Sequence, residues 1–264
     1  MNFSLICAQF AKLNRISMDE RELEQTLVLI KPDALKNSLT GYILSMLSEF
    51  HTGLHYCATK IVNVSKMIAE EHYAEHRGKV FFPAILEYLM GQSHYIDKPW
   101  KRRVIAIVYQ GRDSIKKVRN IVGPTNPLEA RTEKPGSIRS LGTMVPLKDP
   151  EGNVIGQRMD NLIHASDTYE SAEREIKLWF KPNDIPPLMQ AYPTEQSSEF
   201  YYFKENKLYG EHVPDCVCIL APADVAWKSD LETLRNLING IPTTRSLQSV
   251  VAKYLINEKH PENC

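Results

Sequence analysis

No apolar stretch of this sequence is long enough to cross a bilayer. The longest runs, such as Val104 to Tyr109, fall far short of the roughly 20 residues a spanning helix needs, so no membrane partner is expected. There is also no excess charge of either sign, since Lys plus Arg and Asp plus Glu each number 32 in 264 residues. That balance removes the global basic field behind non-specific nucleic-acid binding, so no specific nucleic-acid partner is expected and any anion site must be built locally. Cysteine is sparse: Cys7, Cys57, Cys216, Cys218 and Cys264 are odd in number and lack a disulfide-like spacing, which fits a reducing, cytoplasmic setting. Cys216-Val217-Cys218 has one residue where a zinc knuckle leaves two. Neither a Walker sequence nor a G-x-G-x-x-G fingerprint occurs. The apolar Phe3 to Ala8 has no basic residue before it and is broken by Gln9, so a secretory signal is not expected.

What is present is ordinary globular composition, 43% hydrophobic and 24% charged, enough for one large or two small domains. Thr26 to Ile30 reads as a buried strand that Lys31, Pro32 and Asp33 bring to a stop. Helical spacing over Gly41 to Phe50 ends at Gly53, Leu54 to Val64 reads as a strand, and Ser65 caps a helix running to His76. Further helices are expected over Phe81 to Met90, Asp113 to Ile121 and Tyr169 to Phe180, with strands over Arg103 to Tyr109 and near Ala165. This order is compatible with a ferredoxin-like α/β (α+β) sandwich, a four-stranded antiparallel sheet covered by helices, although periodicity alone leaves other α+β topologies open.

The chain divides into an N-terminal extension over 1–20, a core over 21–182 and a C-terminal extension over 183–264. Asp184-Ile185-Pro186-Pro187 and Tyr192-Pro193 read as a linker. A hairpin through Phe200 to Phe203 with a Glu205-Asn206 turn follows, then amphipathic helices over Asp224 to Asn239 and Thr243 to Ile256.

The most telling segment is Asn161-Leu162-Ile163-His164-Ala165-Ser166-Asp167. It places an imidazole just before a polar pair suited to cap the next helix, so the histidine is expected at a junction between elements. Glu175, on that next helix, is placed to turn back and bind one ring nitrogen, fixing the tautomer and leaving the other nitrogen free to attack. These residues resemble the N-x-x-H-x-S-D segment of nucleoside diphosphate kinases. The likeness extends to Thr26 to Asp33, to Glu71-His72-Tyr73 with Phe81-Phe82, to Arg119 through Pro127, and to Lys134 through Arg139. Two segments depart from the family's length, near 92–102 and 140–160, the second with turn signals for a small hairpin.

The resemblance implies the same sandwich fold and a ping-pong reaction. His164 would take the terminal phosphate of ATP or another nucleoside triphosphate and pass it to a nucleoside diphosphate. Lys31 and Tyr73 would approach the transferring group, and Arg119, Thr125 and Arg139 would hold the diphosphate. Asn161 would reach the sugar, Phe81 would stack on the base, Ser166 would support the site, and Glu175 would orient His164. Mg2+ is expected on the nucleotide phosphates with no protein metal cage, and a homo-oligomer is implied.

One departure lies just before Asn161, where Gln157-Arg158-Met159-Asp160 stands in place of the apolar residue that usually packs on the base. Two rival readings remain. His72-Tyr73-Ala74-Glu75-His76 matches the H-x-x-E-H zinc-peptidase pattern, which needs two histidines on one helix face. The other is a catalytically inactive nucleotide-binding or interaction scaffold of the same fold.

Overall fold

The computed structural model describes residues 24–148 and 151–257. The expected extension over 1–20, the Phe3 to Ala8 segment, Cys7 and Cys264 lie outside the described residues. The first strand, β1 (Gln25–Ile30), is buried along its whole length. Pro32 then starts α1 (Pro32–Lys36), because proline suits a first helical turn and cannot continue a central strand. The helix expected over Gly41 to Phe50 is two pieces, α2 (Thr40–Met46) and α3 (Glu49–Thr52). Ser48 interrupts it by capping α3 through His51 N–H, and Gly53 ends it in the left-handed region.

The strand β2 (His55–Val62) is followed by α4 (Lys66–His72), whose Ser65 cap accepts from Ile68 N–H. That helix stops four residues before the expected His76, and Ala74–His76 is a separate 3-10 turn. Then come α5 (Phe82–Leu89), β3 (Val104–Gln110) and α6 (Ser114–Val122). A helix not foreseen from spacing, α7 (Pro127–Glu133), starts where the Asn126 side chain caps Leu128 N–H. The segment over 140–160 holds the antiparallel pair β4 (Thr143–Lys148) and β5 (Val154–Asp160), the hairpin its turn signals indicated. The short β6 (Ile163–Ala165) leads to α8 (Tyr169–Trp179).

The main sheet has the order β2-β3-β1-β6 with every pairing antiparallel, the ferredoxin-like arrangement. Both faces are covered, so β1 reads as an unbroken apolar run while its alternate residues enter different cores. Leu27 and Leu29 pack with Ile68, Leu86, Ile176 and Trp179. Val28 and Ile30 pack with Ile43, Leu47, Val118 and Val122 on the other face. His164 is paired with Leu29, so its side chain stands on the α4 and α8 side.

Residues expected as a linker are part of the first core, where Ile185 and Tyr192 are buried with Trp179 and Phe180. Beyond them lie β7 (Thr194–Gln196), β8 (Tyr201–Lys204), β9 (Lys207–Tyr209), β10 (Val217–Leu220) and β11 (Val225–Trp227). Glu205 and Asn206 both take positive φ in the β8–β9 turn, as the hairpin reading required. The first expected helix begins later, as α9 (Lys228–Ile238), and the second shortens to α10 (Leu247–Val251) with a 3-10 turn over Ala252–Tyr254. These elements enclose a third core around Tyr201, Phe203, Leu231 and Val251. Trp227 ties it to the sandwich by donating from Nε1 to Phe180 O at 2.8 Å. Among the described residues no helix is long and apolar enough to cross a membrane.

Candidate active site

The residue before the histidine segment's strand is held in an unusual conformation. Leu162 has φ +68°, a left-handed setting that costs a non-glycine residue about 1–3 kcal/mol and persists only where its surroundings impose it. Here Leu162 N–H donates to Asp33 Oδ2 at 2.9 Å and Leu162 O accepts from Lys31 N–H at 2.9 Å. The end of β1 thus fixes the turn that delivers His164. Contrary to the expected junction, His164 sits in the middle of β6, and the next helix is capped by Thr168, which accepts from Ser171 N–H, and not by Ser166 or Asp167.

His164 Nε2 lies 2.8 Å from Glu175 Oε2, which also accepts from Ser166 Oγ at 2.7 Å. Burial alone would raise the Glu175 carboxyl; the charge and hydrogen bond of His164, helped by His72 and Ser166, outweigh it and hold the group at about 2. A carboxylate on Nε2 places the ring proton there and leaves Nδ1 with its lone pair. His72 stands edge-on to His164 with ring centroids 4.5 Å apart, and its Nδ1 accepts from Trp179 Nε1 at 3.3 Å. Burial first, then the neighbouring His164, lowers its pKa well below the ordinary histidine value, so it is neutral.

The cations gather on the other side of the turn. Lys31 Nζ donates to Asn161 Oδ1 at 2.8 Å, and Asn161 Nδ2 donates to Thr125 O at 3.0 Å. Arg139 reaches Ile163 O at 3.1 Å and Gly123 O at 3.1 Å, while Arg119 reaches Ala165 O at 3.5 Å. The two guanidinium groups therefore hold the carbonyls on either side of His164. Among the described residues none of Lys31, Arg119 and Arg139 forms an ion pair. Burial, reinforced by Arg139, lowers Lys31 to about 7 even though Asp33 and Asp160 oppose it. Burial lowers Arg139 to about 10. A buried cation without a counter-ion is costly, and an incoming phosphate removes that cost.

Tyr73 and Phe81 reach this centre through a chain of rings. His72 touches Tyr73 at 4.7 Å, Tyr73 stacks on His76 at 6.0 Å, and His76 meets Phe81 at 5.6 Å. Phe81 is about half exposed, free to offer one face to a flat ligand. A cavity of about 710 Å3 opens beside Arg119, Gly123 and Lys134. His164 is not among its lining residues.

The arrangement also tests metal chemistry. Among the described residues one group of three metal-capable side chains is close enough to share an ion: His72, His164 and Glu175. His76 is absent from it because α4 ends at His72, so the two histidines of H-x-x-E-H do not share a helix face. Of the site's remaining carboxylates, Asp160 is held by His94 and Arg158, and Asp33 accepts from Leu162 N–H through Oδ2 while its buried Oδ1 has no hydrogen-bond partner among the described residues.

The family model for nucleoside diphosphate kinase matches residues 24–185. The chain belongs to the nucleoside diphosphate kinase family. The nucleoside diphosphate kinase of Pyrococcus furiosus is 40% identical over 164 residues, 62% of this chain and 87% of that one. That of Thermococcus kodakarensis is 33% identical over 202 residues, 76% of this chain and 99% of its relative. An orthorhombic crystal form of the Aquifex aeolicus nucleoside diphosphate kinase covers 62% of this chain and 99% of its own, at 35% identity and a TM-score of 0.48. The family match ends at 185, so β7 to α10 lie beyond it.

Sequence reasoning named His164, Glu175, Ser166, Lys31, Asn161, Arg119, Arg139, Thr125, Tyr73 and Phe81, and the structure joins them by the contacts above. It passed over His72 as a neighbour of His164, although the residue stands next to Tyr73. It read Asp33 as a strand stop and gave no role to Tyr88, His94 or Asp160. For the last three no spacing signal exists, because their partners come from distant segments.

Proposed function

We propose that this chain transfers the terminal phosphate of ATP or another nucleoside triphosphate to a nucleoside diphosphate by a ping-pong reaction through a phosphohistidine on His164. The observation that carries the reading is the Glu175–His164 pair, which leaves the Nδ1 lone pair open near cations that form no ion pair among the described residues. Nδ1 attacks the terminal phosphorus in line, the bond to the bridging oxygen breaks, and the nucleoside diphosphate leaves. Lys31, Arg119 and Arg139 share the charge on the phosphate oxygens in a desolvated setting, where such contacts are strong. Glu175 balances the imidazolium character that develops as the N–P bond forms. The second half-reaction reverses these steps with a different acceptor.

Thr125 supports the diphosphate, Asn161 the sugar, Tyr73 the transferring group, and Phe81 the base. Contacts to a ring face, sugar and phosphate do not read base identity, so broad acceptor use is expected. Mg2+ belongs to the nucleotide substrate. A homo-oligomer in the cytoplasm is part of the same reading.

The test is incubation with terminally labelled ATP and Mg2+, then a chase with unlabelled GDP, on the wild-type chain and on His164→Ala. Acid-labile label that is absent from the variant and moves to GTP is the expected result. Nucleotide binding without label would replace the kinase by an inactive scaffold.

A further inference from the structure

The two segments expected to depart from the family's length, near 92–102 and 140–160, meet inside the molecule. Gly91, at φ +75°, turns the chain where a Cβ would come within 3.4 Å of Pro32, and so seats the first segment against the residue after Lys31. From this turn His94 reaches Asp160, the last residue of β5 in the second segment, with Nε2 and Oδ2 2.7 Å apart and both side chains at most one-tenth exposed. Arg158 completes the grip, its Nε 2.6 Å from Oδ1 and its Nη2 3.2 Å from Oδ2. Nothing among the described residues bonds the buried His94 Nδ1, so the Asp160 bond is the one that orients the ring.

Asp160 immediately precedes Asn161. The Asn161 backbone N–H donates to Tyr88 Oη at 3.1 Å, and the Tyr88 ring lies 5.2 Å from that of His94. The Asn161 side chain then bridges Lys31 and Thr125. A chain of direct contacts thus runs from His94 through Asp160 to the Lys31 ammonium.

We infer that His94 is a positioning residue for the phosphate site: its bridge to Asp160 holds Asn161 in place and, through Asn161, aims Lys31. His94 touches no part of that site itself, so its effect is wholly indirect. The inference rests on the proposed nucleotide-binding reading for its consequence and on the contacts above for its geometry. A ribbon of two strands has little stability of its own. Without His94, Asp160 is left to Arg158, which belongs to the same ribbon, and Asn161 follows that ribbon's motion.

The experiment uses the full chain with four substitutions: His94→Leu, which removes the donor; His94→Gln, whose amide can still donate to Asp160; Asn161→Ala; and His94→Leu with Asn161→Ala together. Relaxation of the 15N-labelled Asn161 side-chain amide is read without nucleotide, and binding of Mg-ADP is read by calorimetry. The expected result is a rigid amide in wild type and His94→Gln and a mobile one in His94→Leu. Mg-ADP binding should be about tenfold weaker in His94→Leu, since small misplacements at such sites have large effects. It should be close to wild type in His94→Gln, and no weaker in the double variant than in Asn161→Ala alone. An amide as rigid in a folded His94→Leu as in wild type overturns the inference, as does additive loss in the double variant. If His94→Leu does not fold, Asp160→Asn, which keeps the shape and weakens the bridge, is read in its place by the same measurements. Wild-type protein that binds no Mg-ADP contradicts the nucleotide reading, while the amide relaxation still decides the role of His94.

Discussion

In the C-terminal segment Asp230 is wholly buried between Lys253 and Arg245, at 2.8 and 2.7 Å. Beside His164, Lys31 and Arg139 are nearly as deep, at 5% and 3% exposure, and have only uncharged oxygens within bonding distance. The first cluster closes on itself: the carboxylate has two cations, and Lys253, lowered by burial to about 8, is supported by its partner. The second leaves positive charge over. A structural cluster satisfies its charges in the folded chain, whereas a binding cluster leaves the last partner to be supplied by the ligand. A similar contrast separates two of the buried carboxylates of the sandwich. Asp160 has its oxygens filled by His94 and Arg158, while Glu175 is held between Ser166 and a histidine whose other nitrogen is free.

The sharpest way to break the comparison is to remove one charge from each cluster. Asp230→Ala leaves Lys253 buried without a counter-ion and should cost about 3–5 kcal/mol of stability; a midpoint of urea unfolding within error of wild type would mean the cluster is not structural. Lys31→Met should lower kcat/KM by about 10²–10³ while leaving the unfolding midpoint at or above the wild-type value, since it deletes an unpaired buried charge. Glu175→Gln keeps an acceptor for the imidazole but removes its charge, and should slow phosphoryl transfer by roughly 10–100-fold, measured as the rate of label incorporation from ATP.

A pH series sharpens the same point. Lys31 titrates at about 7 in the folded chain and at about 10.4 when unfolded, so between these values the unfolded state binds more protons. Its destabilising effect is therefore full below about pH 7 and fades as pH rises toward 10. Any stability advantage of Lys31→Met should be present at pH 6–7 and vanish near pH 10. An advantage that grew with pH would reverse the sign and refute the unpaired-cation description. The smallest expected effect on stability is that of EDTA, which should stop phosphoryl transfer yet leave the thermal midpoint unchanged if, as proposed, the ion enters with the nucleotide. A clear drop in midpoint would point to a resident metal at His72, His164 and Glu175.

Much of this was legible in residue order. The apolar run of Leu27 to Ile30 marked a buried strand, and Ser65, Gly53 and the Glu205-Asn206 pair marked ends and turns because each has a local conformational cause. The His164 segment with Glu175 eleven residues on announced a polarised imidazole. What was not legible depends on contacts across long separations. The apparent linker over 184–193 is core because Trp227, far along the chain, closes over Phe180. The break in H-x-x-E-H lies at Tyr73, which ends α4 and leads into the 3-10 turn over Ala74–His76. The His94–Asp160 bridge joins two distant segments, and nothing in the pattern of either marks the other as its partner. Strand and cap signals are local, but buried polar partnerships are not.

The central claim is that Glu175 on Nε2 makes Nδ1 of His164 the atom that carries phosphate. It is tested most directly by 31P NMR of the intact chain after reaction with Mg-ATP, with peptide mapping under alkaline conditions to locate the modified residue. The account requires a single acid-labile phosphoryl group on Nδ1 of His164. A phosphate on Nε2, on another side chain, or on none would contradict it.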